Sequence, residues 1–338
     1  MCYTFYQQKI MQKEDAYCMP EIREKKIKDF KAGDTVQGFF YIRESEMKQT
    51  TTNNRYMNFT FSDNTGDINA KLWDSDEDNP RRFPAGVIVK ARGTVLDWQG
   101  QPQFKLDLIR RTNETDAFAV EDYIPSAPVR AEEMYQYILD TLAEMTDREM
   151  ADFVAYILNQ YKELLLHFPA AKKNHHAVRD GLLYHTGTML KAAKGLAQVY
   201  SFVNRDLLYA GVILHDIGKL KEMEATSLGL VSDYTAGGKL LGHLVQGITM
   251  LDEAAKATGF NSEKAMVLEH MILSHHYEPE YGSPKHPMLP EGELLHYLDI
   301  MDARMYDMNK AYESCEPGGF SERIWSLENR SLYKPKWN

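Results

Sequence analysis

The segment Asp206–Lys219 constrains the fold of this chain more than any other. It is an apolar run that ends in His-Asp-Ile-Gly-Lys and so contributes His215 and Asp216. Asn204 is suited to cap the start of a helix here, and Gly218 is suited to end it. A helix that is apolar on nearly every side is predicted to be buried. Burying its charged end is costly without a partner, and a divalent cation would be such a partner.

A His-Asp pair alone is weak evidence, because the chain has 11 histidines and an isolated buried histidine is more often an ordinary hydrogen-bonded core residue. The prediction therefore depends on further ligand-type residues on predicted helices or at their ends. These are His185 on Gly181–Tyr200, His243 after Gly-Lys-Leu-Leu-Gly, His275 and His276 at the end of Glu263–His276, and Asp299 and Asp302 on Glu293–Lys310. The two aspartates are three residues apart and share a helix face.

Imidazole and carboxylate ligands without thiolate suit Mn, Fe, Co, Zn or Ni. The set is too large for one ion with an open position, but it suits two ions that share a carboxylate, for which Asp216 is the candidate. Two such ions activate a water and stabilise the attacking and the leaving oxygen of a phosphoryl displacement. Lys219, one helical turn after Asp216, is placed to neutralise a phosphate oxygen. Asp302 is expected to orient a ligand rather than bind an ion.

Composition excludes several other classes. The three cysteines are far apart, which excludes a thiolate zinc knuckle and a disulfide framework and fits a reducing cytoplasm. No apolar run reaches membrane-spanning length and the N-terminus has no apolar signal core, so we expect no membrane association. The net charge of −10 argues mildly against a nucleic-acid partner, although residues 36–112 are close to neutral.

Residues 33–112 read as a five-stranded OB-type barrel. The strand patterns are Val36–Ile42, Tyr56–Ser62, Ile68–Trp73, Val87–Leu96 and Phe104–Ile109. Small barrels of this type bind single strands by stacking bases on exposed aromatic rings beside cations. Alternation points Lys71 and Trp73 outward, so both are predicted to bind substrate. Tyr56, Trp98 and Arg92 are weaker candidates.

The rest of the chain divides by pattern. Residues 1–32 are predicted to be an extension and residues 113–130, with Pro125 and Pro128, a linker. Residues 131–312 have helical periodicity, with a Thr146-x-x-Glu149 capping box. Residues 313–338 are predicted to be a tail that packs on this helical domain. The expected fold class is therefore multidomain α and β, a barrel followed by an all-α domain.

The ligand set resembles the dinuclear form of the HD-domain phosphohydrolase superfamily, and longer motifs narrow the resemblance. The motifs are Phe202–Lys219, Leu240-Leu-Gly-His243, Leu273-Ser-His-His276, Tyr281-Gly-Ser-Pro284, Leu295–Asp299, Glu328–Pro335 and, in the barrel, Asp67–Asp74. Together they are similar to the YhaM-type 3′→5′ exoribonucleases, which join an N-terminal OB domain to a C-terminal HD domain. The likeness covers about residues 33–335.

The resemblance implies a ligand assignment. One ion would be held by His185, His215, Asp216 and Asp299, and the second by Asp216, His243 and one or both of His275 and His276. His175 and His176 also match the family pattern and are expected to contact substrate phosphate or to support the ligands. In the family, activity depends on divalent metal, typically Mn²⁺ or Co²⁺, so two ions, most often Mn²⁺, are expected. Tyr277 departs from the pattern, since a glycine is usual after the histidine pair.

The expected function is metal-dependent 3′→5′ hydrolysis of single-stranded RNA, with single-stranded DNA as a second substrate, to 5′-mononucleotides. One alternative is a phosphohydrolase of small or cyclic nucleotides; the absence of a Gly-Tyr-Pro signature and the presence of a barrel argue against it. The other is a non-catalytic single-strand-binding protein, against which the complete ligand set argues. The sequence leaves the native metal and the oligomeric state open, a homo-oligomer included.

Overall fold

The structure is a computed structural model, and it describes residues 25–172, 176–226 and 228–337. Most of the predicted N-terminal extension, residues 1–24, therefore lies outside the described residues. The chain forms two compact units that divide between Ile124 and Pro125. The division falls inside the segment predicted as a linker, whose first half contacts the barrel: Asp116 accepts two hydrogen bonds from Arg110, at 2.6 and 2.7 Å.

The first unit is a closed five-stranded barrel, as predicted. Its strands are β1 (Thr35–Gln49), β2 (Arg55–Asp63), β3 (Gly66–Trp73), β4 (Ile88–Trp98) and β5 (Gln101–Arg111). They close in the order β1-β2-β3-β5-β4, with β3 and β5 parallel and the other pairs antiparallel. Closure gives every strand two neighbours, although β3 and β5 pair over only three residues, Asn69–Lys71 with Gln103–Lys105. Four phenylalanines, Phe40, Phe59, Phe61 and Phe104, fill the core.

Strand β1 is longer than its apolar run predicted. The run ends at Ile42, where a bulge interrupts the pairing with β2, but the strand continues to Gln49. Its polar second half pairs with β2 through the main chain, and hydrophobic patterning does not report such pairing.

The second unit is mainly helical. Its helices are α2 (Ala131–Glu144), α3 (Arg148–Gln160), α4 (Lys162–Leu165), α5 (Gly181–Val199), α6 (Arg205–Leu214), α7 (Lys219–Glu222), α8 (Ala236–Thr258), α9 (Ser262–Ser274) and α10 (Pro290–Glu313); a short α1 (Asn79–Arg82) belongs to the barrel unit. The three predicted ligand-bearing helices match α5, α9 and α10 to within three residues at each end. The unit also contains a two-stranded sheet of β6 (Met223–Ala225) and β7 (Val231–Tyr234), which the helical prediction missed.

Helix α6 is the centre of this unit. All of its residues from Asp206 to Leu214 are buried, and the side chain of Asn204 accepts hydrogen bonds from the main-chain N–H groups of Asp206 and Leu207. The burial and the Asn204 cap were both predicted correctly. The role of Gly218 was not: α6 ends at Leu214, and a Cβ on Gly218 would overlap the carbonyl oxygen of His243. Gly218 lets α8 approach closely and does not end a helix.

The predicted capping box at Thr146 is also wrong. The N-cap of α3 is Asp147, whose side chain accepts a hydrogen bond from the N–H of Met150. Thr146 instead accepts a hydrogen bond from Arg205 through its hydroxyl, at 2.8 Å.

The C-terminal segment contacts α10. Glu328 accepts two hydrogen bonds from the Arg304 guanidinium, at 2.7 and 3.2 Å. Lys334 Nζ donates to the carbonyl oxygens of Tyr312 and Cys315, where a cation complements the helix C-terminus. Across the described residues, no helix is both long and apolar enough to span a bilayer.

Candidate metal centre and nucleic-acid surface

The structure brings together all seven side chains predicted as metal ligands. They come from α5, the end of α6, α8, the end of α9 and α10. In each of three overlapping groups, the ligand atoms lie within 4.8 Å of one another: His185 with His215 and Asp216, His215 with His275 and Asp299, and His243 with His275 and His276.

Asp216 lies between the two sides of this cluster. Its Oδ2 atom is 3.2 Å from His215 Nε2 and 3.9 Å from His185 Nε2. Its Oδ1 atom is 3.6 Å from His243 Nε2 and 4.0 Å from His275 Nε2. Each carboxylate oxygen therefore faces a different pair of imidazoles, which is the arrangement that a bridging ligand needs.

Three of the histidines are oriented by main-chain carbonyl groups. His215 Nδ1 lies 2.8 Å from the oxygen of Val212, and His275 Nδ1 lies 2.8 Å from that of Ile272. His276 Nδ1 lies 2.7 Å from the oxygen of Tyr281. A carbonyl oxygen can only accept, so each Nδ1 carries the proton. The Nε2 lone pair of each ring is then available to bind a cation.

Four atoms of the cluster are buried among the described residues without a hydrogen-bond partner: His215 Nε2, Asp216 Oδ1, His243 Nε2 and His275 Nε2. Buried polar atoms are normally satisfied, and leaving several unsatisfied in one place is costly. Bound divalent cations would satisfy these atoms. The donor set therefore fits a metal site.

The charges around Asp216 are mutually stabilised. Burial opposes its ionisation, but Lys219, with Nζ 2.6 Å from Oδ2, and His215 hold the pKa of Asp216 well below its usual value. Burial likewise opposes the charge on Lys219, and Asp216 nevertheless raises the pKa of the lysine. Both groups are therefore charged at neutral pH.

Asp302 connects two histidines. Its Oδ2 atom is 2.7 Å from His185 Nδ1 and 2.8 Å from His176 Nε2. Although burial opposes it, contact with Asp299 and Asp302 raises the pKa of His185 to about 9. His176 is almost fully buried and packs on the ring of Tyr306 at 4.0 Å, so its position favours support of the ligands over contact with substrate. His175 lies outside the described residues.

The predicted outward face of the barrel carries an aromatic cluster around Lys71. Lys71 Nζ lies 5.5 Å from the ring centroid of Tyr56, 5.8 Å from that of Trp73 and 5.7 Å from that of Trp98. The rings of Tyr56 and Trp73 stack at 4.8 Å. Trp73 is 40% exposed and Trp98 59%. Lys71 and Trp73 thus point outward as predicted, and two of the weaker candidates, Tyr56 and Trp98, join them.

Lys71 has a second cation beside it. Lys105 on β5 is its register partner on the neighbouring strand. Like charges on paired positions repel each other, and neither lysine forms a carboxylate ion pair within the part of the chain that the structure describes. An anion such as a phosphate group would relieve this repulsion.

Comparison with known proteins shows which family the chain belongs to. A sequence profile described as HD domain matches residues 182–304, and one described as putative helicase matches residues 126–206. A 3′-5′ exoribonuclease YhaM from Geobacillus sp. is 40% identical over 311 residues, which cover 92% of this chain and 95% of that protein. The Bacillus subtilis protein of the same name is 38% identical over 306 residues, 90% of this chain and 96% of that protein. The chain belongs to the YhaM 3′-5′ exoribonuclease family.

Membership in the YhaM family confirms the resemblance carried by the motifs, and it does not favour the two alternative functions. The HD-domain match and the histidine–aspartate cluster together indicate a divalent-metal site. Among solved structures, a domain of replication protein A from Methanococcus maripaludis matches with a TM-score of 0.23 and 21% identity, over 26% of this chain and 94% of that one.

One residue near the centre escaped prediction from the sequence, and a second has an unusual backbone conformation. Glu222 lies beside the YhaM-type ligand set, with Oε1 3.3 Å from His243 Nδ1. Its only sequence signal is its place three residues after Lys219, on the same short helix. Tyr277, which follows the histidine pair, has a φ of +69°, a left-handed conformation that glycine adopts at less cost than any other residue.

Proposed function

We propose that this protein is a metal-dependent 3′→5′ exoribonuclease that hydrolyses single-stranded RNA to 5′-mononucleotides, with single-stranded DNA as a second substrate. The observation that carries the proposal is the buried set of ligand atoms around Asp216, in a chain about 40% identical to named exoribonucleases over nine-tenths of its length. The separated cysteines suit a reducing compartment, so we assign the protein to the cytoplasm.

Two divalent ions, most often Mn²⁺, fit the ligand arrangement, and Co²⁺, Fe²⁺, Zn²⁺ and Ni²⁺ are chemically compatible. His185, His215 and Asp299 would hold one ion, His243, His275 and His276 the other, and Asp216 both. When bound, the ions supply an activated water and offset the negative charge that develops on the phosphoryl oxygens. Asp302 orients His185 through Nδ1 and fixes its tautomer.

Lys219 is the cation that this chain contributes to catalysis. Its ammonium is held 2.6 Å from Asp216 Oδ2, and its side chain is 14% exposed, so part of it remains accessible to a substrate phosphate. There it neutralises a non-bridging oxygen as charge increases in the transition state.

The barrel surface binds the strand. Trp73, Tyr56 and Trp98 offer ring faces on which unpaired bases stack, and Lys71 with Lys105 offers charge to the backbone between them. Stacking of this kind needs unpaired bases, so the substrate is single-stranded.

A 5′-labelled single-stranded RNA, incubated with Mn²⁺ and the protein, tests the function. We expect a ladder that shortens from the 3′ end, that disappears with chelator, and that is absent with Asp216→Asn. Asp252→Asn, at a half-exposed aspartate paired with Lys256, is the matched control and should retain full activity. If the RNA stays intact with both wild type and control, the proposal is refuted. If an RNA whose 3′ hydroxyl is blocked is degraded as fast as the unblocked RNA, the 3′→5′ polarity is refuted.

A further inference from the structure

Helix α8 is interrupted just before one of its metal-type ligands. Gly242 has a φ of +69° and a ψ of 171°, neither of them helical, so the helix restarts at His243. The main-chain N–H of His243 donates a hydrogen bond to Glu222 Oε1 at 3.0 Å. The same oxygen lies 3.3 Å from His243 Nδ1. One carboxylate oxygen therefore holds both the main chain and the ring of this residue.

Glu222 is itself held rigidly against the start of α8. Its carbonyl oxygen accepts a hydrogen bond from the N–H of Thr235 at 2.9 Å, and the Thr235 hydroxyl donates to the carbonyl oxygen of Lys221 at 2.8 Å. Thr235 also caps α8 by accepting from the N–H of Gly238. A Cβ on Gly238 would overlap the carbonyl oxygen of Glu222, so the two backbones are in close contact. A group fixed in this way can position the ring that it contacts.

The two sides of the ligand cluster differ in charge. The side formed by His185 and His215 includes the carboxylate of Asp299, with Asp302 behind His185. The side formed by His243, His275 and His276 consists of imidazoles, with Asp216 shared between both sides. A divalent ion on the three-histidine side would therefore have little negative charge around it.

Glu222 places a carboxylate behind that side. Its side chain is only 13% exposed, and among the described residues it forms no ion pair with a lysine or arginine. A largely buried carboxylate of this kind is costly unless a cation lies nearby. The Lys219 ammonium interacts with Glu222 electrostatically, but it is paired with Asp216. A cation bound at Nε2 of His243 would be that partner, acting through the ring.

We propose that Glu222 is a positioning residue for His243, and that it adds negative charge to the three-histidine side of the centre, which shares the carboxylate of Asp216 with the other side. The inference rests on the proposed two-ion function. It makes Glu222 the counterpart of Asp302, whose carboxylate contacts Nδ1 of His185 on the opposite side. In both cases a carboxylate that accepts a hydrogen bond from Nδ1–H leaves Nε2 as the ligand atom and makes it more basic.

Manganese titration of the full-length protein tests the role of Glu222. In Glu222→Gln the amide oxygen can still accept from the N–H of His243, so the metal-free protein should melt within about 2 °C of wild type. The negative charge is lost, and the affinity for one of two Mn²⁺ ions should fall about 10- to 100-fold while the other is unchanged. Glu224→Gln, at an exposed glutamate two residues further on, should behave as wild type.

Calorimetry, or electron paramagnetic resonance of free Mn²⁺, would count and rank the two sites. Wild-type affinity for both ions in Glu222→Gln overturns the inference, as does a lowered melting temperature with unchanged affinity, because either result makes Glu222 merely structural. If wild type takes up no Mn²⁺, the proposed function fails first and this inference fails with it. Titrating wild type and variant side by side distinguishes the two failures.

Discussion

Asp216 is the residue on which the charges of the centre converge. One of its oxygens contacts the Lys219 ammonium and faces His215, and the other faces His243 and His275. Because its neighbours hold its pKa low, the carboxylate is ionised at neutral pH and each oxygen can serve a different cation. Lys219 therefore contacts the same carboxylate as the metal ligands, but it is not a metal ligand itself.

Lys219→Met should separate catalysis from metal binding. Loss of an ammonium that neutralises a phosphate oxygen should lower kcat/KM for RNA about 100- to 1,000-fold. Mn²⁺ binding should persist, because Lys219 is not a ligand. Lys221→Met removes a lysine on the same short helix, one that pairs with Glu253, and should leave the rate unchanged. Equal rates for the two variants would remove Lys219 from the mechanism.

Tyr277 offers a test of backbone strain at the residue scale. A left-handed φ costs an L-residue about 1 kcal/mol or more relative to glycine. Both Tyr277→Gly and Tyr277→Ala lose the ring contacts with His286 and His296, so their difference isolates the backbone. The glycine variant should be more stable than the alanine variant by about 1 kcal/mol in urea unfolding. An alanine variant of equal or greater stability would show that the position is not strained.

At the scale of elements, the geometry of the metal centre depends on how α8 packs against its neighbours. Its main chain lies in close contact with Gly218 at His243 and with Glu222 at Gly238. The helix is interrupted at Gly242, and the ring of the next residue, His243, faces Asp216. The position of this ligand is therefore set by contacts between helices rather than within one helix.

Gly218→Ala should expose this dependence. The added Cβ would overlap the carbonyl oxygen of His243 and come within 2.6 Å of the N atom of Gly247. Overpacking should destabilise the protein by about 1–3 kcal/mol and weaken Mn²⁺ binding as α8 shifts. Gly195→Ala, on α5 with open space around it, is the control and should be neutral or slightly stabilising. Chemical denaturation with and without Mn²⁺ measures both effects. A Gly218→Ala variant with wild-type stability and Mn²⁺ binding would show that the close contact of α8 with Gly218 is not needed.

These contacts also explain what could be predicted from the sequence. His215 and His275 are each oriented by a carbonyl group three residues earlier, so a helix-end histidine was a sound prediction from local pattern alone. The interaction of Glu222 with His243 joins residues 21 apart and depends on the Gly242 interruption, which no periodicity reports. The cluster of Tyr56, Trp73 and Trp98 required the register of the strands, so only its outward direction was predictable.

At the scale of the molecule, the two units carry different parts of the proposed function. The aromatic and cationic surface belongs to the barrel, and every predicted metal ligand belongs to the helical unit. Strand binding and hydrolysis should therefore respond to different substitutions.

Trp73→Ala should weaken binding without slowing the chemical step. A stacked base contributes about 1–3 kcal/mol, so KM for RNA should rise about 5- to 100-fold with kcat preserved. Trp325→Ala removes a tryptophan that is 76% exposed in the C-terminal segment and should leave both constants unchanged. A fall in kcat with constant KM would contradict this prediction, because it would place Trp73 in the chemical step rather than in RNA binding.

Metal removal should affect the helical unit selectively. A ligand that binds only the folded state stabilises it by about 2.7 kcal/mol at 100 times its Kd. Since the proposed ligands lie on α5, α6, α8, α9 and α10, Mn²⁺ should slow amide hydrogen exchange in these helices and leave β1–β5 unchanged. Asp216→Asn, which lacks the shared carboxylate, should show no Mn²⁺-dependent slowing. Equal protection of barrel and helices would place the ions elsewhere, and so would a response that persists in Asp216→Asn. The reason is that ions bound between these helices stabilise only the elements that carry their ligands.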